Sequence, residues 1–157
     1  MAKIGVIYYS SGGNTEKMAE FVAQGVKEEG IEVELKKVED TALEDLLGWH
    51  GIIVGSPTYY GLAAAPIKDI FDRSVKYHGE LEGKVGGAFS SSTNIGGGNE
   101  TTVLSILQMM LIHGMIVWGS PKGNHYGPVS IGAPDERVRT QCRILGKRVA
   151  ELVKKLA

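Results

Sequence analysis

The pattern of apolar and polar positions changes period repeatedly along the chain, and each change marks a switch between strand and helix. Ile4-Gly5-Val6-Ile7-Tyr8 is a short apolar run that enters the turn Tyr9-Ser10-Ser11-Gly12-Gly13-Asn14-Thr15. Beyond that turn Met18, Phe21, Val22, Gly25 and Val26 recur at helical spacing. Ile31-Glu32-Val33-Glu34-Leu35 alternates with period two, which predicts a strand with one solvated face, as at a sheet edge. Ile52-Ile53-Val54 is uninterrupted, as in a central parallel strand covered on both faces. A helix after Pro66 carries Ile67, Ile70, Phe71 and Val75. Val85 to Phe89 reads as a fourth strand, Thr102 to Ile112 as a helix and Met115 to Trp118 as a fifth strand. The last segment is an amphipathic helix with Val138, Cys142, Leu145, Val149, Leu152 and Leu156 on its apolar face and charges from Arg143 to Lys155 on a solvated one.

Five strands alternating with helices predict an α/β fold, a doubly wound five-stranded parallel sheet of order 2-1-3-4-5 with helices on both faces. One domain spans 1–157. In such a sheet ligands bind beyond the carboxyl ends of the strands, near the switch point between strands 1 and 3. The loops expected there are the turn after strand 1, Gly55 to Gly61 after strand 3, and Ser90 to Thr101 after strand 4. All three are rich in Gly, Ser, Thr and Asn. Their convergence at one end of the sheet is harder to assign to turn geometry than any single loop.

The first loop has the chemistry of a phosphate cradle. The first backbone N–H groups of the following helix have no intrahelical acceptor and attract anions. Ser10, Ser11, Asn14 and Thr15 add side-chain donors, and Gly12 and Gly13 permit close backbone approach. The turn has neither the GxxxxGK[ST] nor the GxGxxG pattern, although Glu39-Asp40 stands where a ribose-binding carboxylate would sit in a dinucleotide fold. Hydroxyls and amides without a lysine suit one terminal phosphate, the arrangement used for flavin mononucleotide. The alternative is an ordinary strand-to-helix turn that uses Ser and Gly for geometry alone.

Composition narrows the partners. With 17 Lys+Arg against 18 Asp+Glu the formal charge is -1, so no basic field points to nucleic acid and no acidic field to a basic redox partner. The single cysteine, Cys142, excludes an intrachain disulfide framework and reads as core. No apolar run approaches the length of a signal or membrane segment, which predicts a cytoplasmic protein without membrane insertion. His50, His78, His113 and His125 are scattered, so no metal is expected. Trp49, Trp118 and the Met109-Met110 pair read as packing residues.

Taken together, YYSSGGNTE, GSPTYYG and FSSSTNIGGGNETT resemble the flavodoxin-like superfamily, and specifically its WrbA-type NAD(P)H:quinone oxidoreductases. Leu111-Ile112-His113-Gly114-Met115 and His125-Tyr126-Gly127-Pro128 are similar to two further segments of that family, so the resemblance covers essentially the whole chain. It implies that Ser10, Ser11, Gly12, Gly13, Asn14 and Thr15 bind the FMN phosphate. Pro57, Thr58, Tyr59, Tyr60 and Gly61 would line the isoalloxazine and ribityl chain, with Ser92, Thr93, Asn94, Gly96, Gly97 and Gly98 closing the other side. His113 would face the substrate side of the ring, as the one candidate catalytic residue; read by itself, it ends a helix whose dipole a cation complements. The first turn is closer to a carrier flavodoxin, an arginine commonly stands in the family where Tyr59 does, and the chain is shorter than typical members.

The resemblance implies two-electron transfer from NADH or NADPH to a quinone or similar flat acceptor, with homodimers or homotetramers. One-electron flavodoxins generally cover the flavin with aromatic groups from both ring-binding loops, whereas Ser90 to Thr101 has no aromatic residue. A one-electron carrier is the alternative, and a flavin-binding domain that acts through regulated association is the third.

Overall fold

A computed structural model describes residues 1–157. In chain order the elements are β1 (Lys3–Tyr8), α1 (Asn14–Glu28), β2 (Glu32–Lys37), α2 (Asp45–Gly48), β3 (Gly51–Tyr59), β4 (Leu62–Ala63), α3 (Ala65–Arg73), β5 (Val85–Ser92), α4 (Asn99–Ile112), β6 (Ile116–Val117), β7 (Val129–Ile131) and α5 (Glu136–Leu156). Single 3-10 turns occupy Val38–Asp40 and Ser74–Tyr77.

The sheet path is β2-β1-β3-β5-β6, with every neighbouring pair parallel. The segment after α1 is the edge strand β2, as expected, but its burial does not alternate: Leu35 is exposed, while Glu34 is half-buried and accepts from Lys3 and the Trp49 indole. The expectation of five strands is corrected to seven. The last strand is split: β6 pairs with Val85-Gly86 and β7 with Ser90 to Ser92, both along β5. The residues between them, Gly119-Ser120-Pro121-Lys122-Gly123-Asn124, are turn formers that cannot continue a ladder. The seventh strand, β4, returns antiparallel on the end of β3. Tyr60 (φ 50) and Gly61 (φ 79) form the two-residue turn between them, the backbone geometry of a hairpin whose strands keep their twist. Much of what reads as loop in Gly55 to Gly61 is therefore strand.

Two apolar layers sandwich the sheet. On one face α1 and α5 cover Ile4, Val6, Ile53 and Phe89; on the other α2, α3 and α4 cover Ile7, Ile52, Val54 and Ala88. Helices α1 and α5 approach at Gly25 and Gly146, where an added Cβ would strike the Arg143 and Val22 carbonyls respectively. Trp49, Met110 and Cys142 are core, and burial pushes the Cys142 thiol up to about 12. Trp118 is exposed at the sheet edge beneath the Arg148 guanidinium, 3.9 Å from its ring centre. No helix is long and apolar enough to cross a membrane.

Candidate functional site

The carboxyl ends of β1, β3, β5 and β7 open into one cavity of about 360 Å³. Ser10, Ser11 and Gly12 line it from the first loop, Asn14 and Thr15 from the start of α1, Pro57, Thr58 and Tyr59 from β3, and Ser92 and Thr93 from the end of β5 and the residue after it. No charged side chain is among its walls.

α1 starts at Gly13, whose φ of 96° is left-handed and whose N-cap position carries no capping side chain. Its N–H donates instead to Ser10 Oγ at 3.1 Å, and the first intrahelical bond runs from Lys17 N–H to the Gly13 carbonyl at 3.0 Å. The first-turn N–H groups thus border the cavity without a side-chain acceptor, the arrangement that receives an anion. Beneath the turn, the buried Tyr8 hydroxyl donates to the Glu16 carboxylate at 2.6 Å. Burial and then the Glu16 contact push that phenol above its ordinary value.

α4 begins in the same way, at Gly98 with φ 97° and no capping side chain. Thr101 Oγ1 reaches across to the Gly61 carbonyl at 2.7 Å, clamping the β3–β4 turn to the helix start. An added Cβ on Gly98 would lie 2.9 Å from the Gly61 Cα, so the clamp requires glycine there. Asn94 to Gly97 form their own turn, with Gly97 N–H donating to the Asn94 carbonyl at 3.1 Å. Gly13, Tyr60, Gly61, Asn94, Gly96, Gly97 and Gly98 thus frame or flank the cavity and do not wall it.

Hydroxyls join the walls. Thr15 Oγ1 and Ser91 Oγ are 2.9 Å apart, Thr58 Oγ1 and Ser90 Oγ 3.0 Å, and Thr102 Oγ1, whose proton goes to the Gly98 carbonyl at 2.8 Å, lies 3.1 Å from Thr58 Oγ1. The side chains of Thr15 and Thr58, expected to serve a ligand, therefore hold the loops to one another. Asn99 Nδ2 donates to Ser92 Oγ at 3.0 Å, and Gly132 N–H to the Ser92 carbonyl at 2.8 Å. Ser91 and Gly132 are wall residues that the sequence reading missed. Ser91 had a signal in the Ser90-Ser91-Ser92 triplet. Gly132 had none, because the short strand that delivers it was not foreseen.

Tyr59 lines the cavity, half-exposed, with its ring edge-on to Tyr9 at 6.3 Å between centres. Tyr60 stands fully exposed at the hairpin tip. His113 does not join this cluster. It caps the far end of α4, about 20 Å along the helix from Gly98. There it is buried, with Nε2 2.7 Å from Ser74 Oγ. Burial and then the nearby His78 hold its imidazole below the ordinary value. Any substrate-side role for it at such a cavity needs a second copy of the chain. His125 and Tyr126 also lie apart, beside Trp118 and Arg148.

The profile of the Flavodoxin family matches residues 6–103. The chain is 45% identical to a protein named flavodoxin from Aquifex aeolicus (strain VF5), over 98% of this chain and 88% of that one. It is 37% identical to a protein named NAD(P)H dehydrogenase (quinone) from Archaeoglobus fulgidus, over 99% of this chain and all of that one. The solved structure of a flavodoxin, WrbA-like protein from Agrobacterium tumefaciens superposes with a TM-score of 0.83 at 26% identity, covering 99% of both chains.

Proposed function

The chain belongs to the flavodoxin family, whose members hold a flavin, and on that premise we propose that it is an FMN-dependent oxidoreductase. It takes two electrons from NADH or NADPH and passes them to a quinone or similar flat acceptor.

The cavity fits the cofactor. Its uncapped α1 start and the Ser10, Ser11 and Asn14 side chains match a phosphate held without a counter-ion. Tyr59 offers a planar surface for one side of the ring. Bound FMN supplies the hydride and electron chemistry; the chain orients it and controls access.

The observation that carries the two-electron reading is the asymmetry of the walls. Tyr59 and Tyr60, both exposed, sit on the β3–β4 hairpin, whereas Ser90 to Thr101 opposite holds no aromatic side chain. One face of a planar ligand is left free for a nicotinamide or quinone to stack at near-attack distance. The relatives named NAD(P)H dehydrogenase (quinone) support the same choice. The test is anaerobic mixing of FMN-loaded protein with NADH and with NADPH, followed by benzoquinone. Rapid bleaching of the flavin spectrum and rapid recovery are expected; a flavin unreactive towards both nucleotides overturns the reading.

The 45% identity to a flavodoxin favours a second reading, a one-electron carrier. Redox potentiometry separates the two. A carrier titrates in two resolved one-electron steps, the enzyme in one two-electron step.

A further inference from the structure

The split in the last strand leaves a gap along the sheet edge. β6 pairs with β5 only as far as Gly86 and β7 resumes at Ser90, so Gly87 to Phe89 have no strand beside them on that side. In the gap lies a slot of about 150 Å³. Gly86 and Gly87 form its inner wall without side chains, Leu107 of α4 and Leu145 of α5 stand at its sides, and Trp118 and Tyr126 at its mouth. An apolar cavity of ~150 Å³ accepts one benzene-sized ring.

The slot has one charged wall residue, Arg148. Its guanidinium carbon lies 3.9 Å from the Trp118 ring centre, and Nη2–H donates to the Gly119 carbonyl at 2.6 Å. These contacts fix the guanidinium while leaving most of its five N–H donors unused. Arg148 has no carboxylate partner, whereas Arg143, Lys147 and Lys154 on the same helix are paired with Glu28 or Glu29. The mouth widens toward Lys122, which is also unpaired, and no acidic residue lines either part. The loop that carries the mouth is tied to itself: Ser120 N–H donates to the His125 carbonyl at 3.1 Å, and His125 Nδ1–H to the Ser120 carbonyl at 2.7 Å. Gly127 seats that loop on the sheet edge, where an added Cβ would strike the Ala88 carbonyl. The slot is therefore preformed, apolar within and cationic at its opening.

We propose that this slot binds a small aromatic carboxylate, with the ring between Leu107 and Leu145 and the carboxylate on Arg148. The volume admits a single ring and excludes a flavin or a dinucleotide. A neutral ring would leave the guanidinium unanswered, and an aliphatic anion would leave the apolar space unfilled. No wall residue is shared with the cavity at the strand ends, so the site is separate from the flavin cavity and independent of the redox reading.

The test is titration of the FMN-loaded protein with benzoate, followed by methyl NMR shifts. One saturable site is expected, with a dissociation constant on the order of a millimolar for so small a ligand. Benzamide, which has the shape without the charge, and acetate, which has the charge without the ring, should each bind at least about tenfold more weakly. Arg148→Met keeps an apolar stem on Trp118 and removes the charge, and Leu107→Phe fills the slot; each should weaken benzoate binding at least about tenfold. In the unsubstituted protein the benzoate ring protons should show Overhauser contacts to the Leu107, Val117 and Leu145 methyl groups and none to Tyr59, which decides the matter should a variant not fold. No saturable site below ~20 mM, benzamide binding as tightly as benzoate, folded variants with unchanged affinity, or contacts at Tyr59 in place of Leu107 overturns the proposal.

Discussion

Helices α4 and α5 lie on opposite faces of the same sheet and solve the same problem differently. α5 is complete in itself. Asp135 caps it, accepting from Val138 N–H at 2.9 Å; its inner face meets α1 through the Gly25–Gly146 approach, and charges run along its outer face from Glu136 to Lys155. α4 starts uncapped from a left-handed glycine and turns Leu104 and Leu111 outward. The one is finished against water; the other presents an uncapped start and apolar side chains along its outer face. The difference locates the working parts of the molecule more sharply than its apolar content does.

The largest effect should come from breaking the finished side. Gly146→Ala drives a methyl group into the Val22 carbonyl, so α1 and α5 must separate. A loss of about 3 kcal/mol in urea unfolding is expected, with the cavity chemistry untouched in whatever protein remains folded.

Gly98→Val comes next and acts on the open side. A branched side chain at φ 97° presses on Gly61 and Thr58. About 2 kcal/mol of stability should be lost. FMN affinity, read by quenching of flavin fluorescence, should fall at least about tenfold with it.

Replacing Asp135 by alanine removes the cap that α5 has and α4 lacks. The expected cost is about 1 kcal/mol with FMN affinity unchanged. A large loss of FMN affinity would show that the two helix starts are not separate in function.

The smallest effect is a slope. The native state holds the His113 imidazole below its unfolded value near 6.5, so unfolding takes up a proton as the pH falls. Stability is then full above about pH 6.5 and declines as the pH drops toward the lowered native value. His113→Gln should flatten the dependence of Tm on pH in that window; an unaltered slope would move the cause elsewhere.

The long elements were legible because their periodicity is. β1, α1, α4 and α5 stand within a few residues of where the apolar spacing puts them, and the parallel sheet follows from their alternation. β4 and β7 were not legible, since two or three residues carry no period and are strands only because a neighbour supplies the ladder. At the site, Ser10 to Thr15 could be read from local chemistry. The use of Thr15 and Thr58 could not, because both hydroxyls have partners set by tertiary register, Ser91 at 76 residues' separation and Ser90 at 32. Val75 was placed on an apolar face and is exposed, since the helix ends at Arg73 and the tighter 3-10 turn rotates it outward.

The paired hydroxyls in the cavity wall carry one more consequence. In both the Thr15–Ser91 and Thr58–Ser90 pairs either oxygen can be the donor. The Thr15–Ser91 pair can therefore reverse its dipole by rotating two O–H bonds, with no heavy atom moving, whereas Thr58 is tied to Thr102, whose proton goes to the Gly98 carbonyl. That part of the wall can turn its hydroxyl dipoles without moving a heavy atom, so it can follow a change of charge beside it at little reorganisation cost.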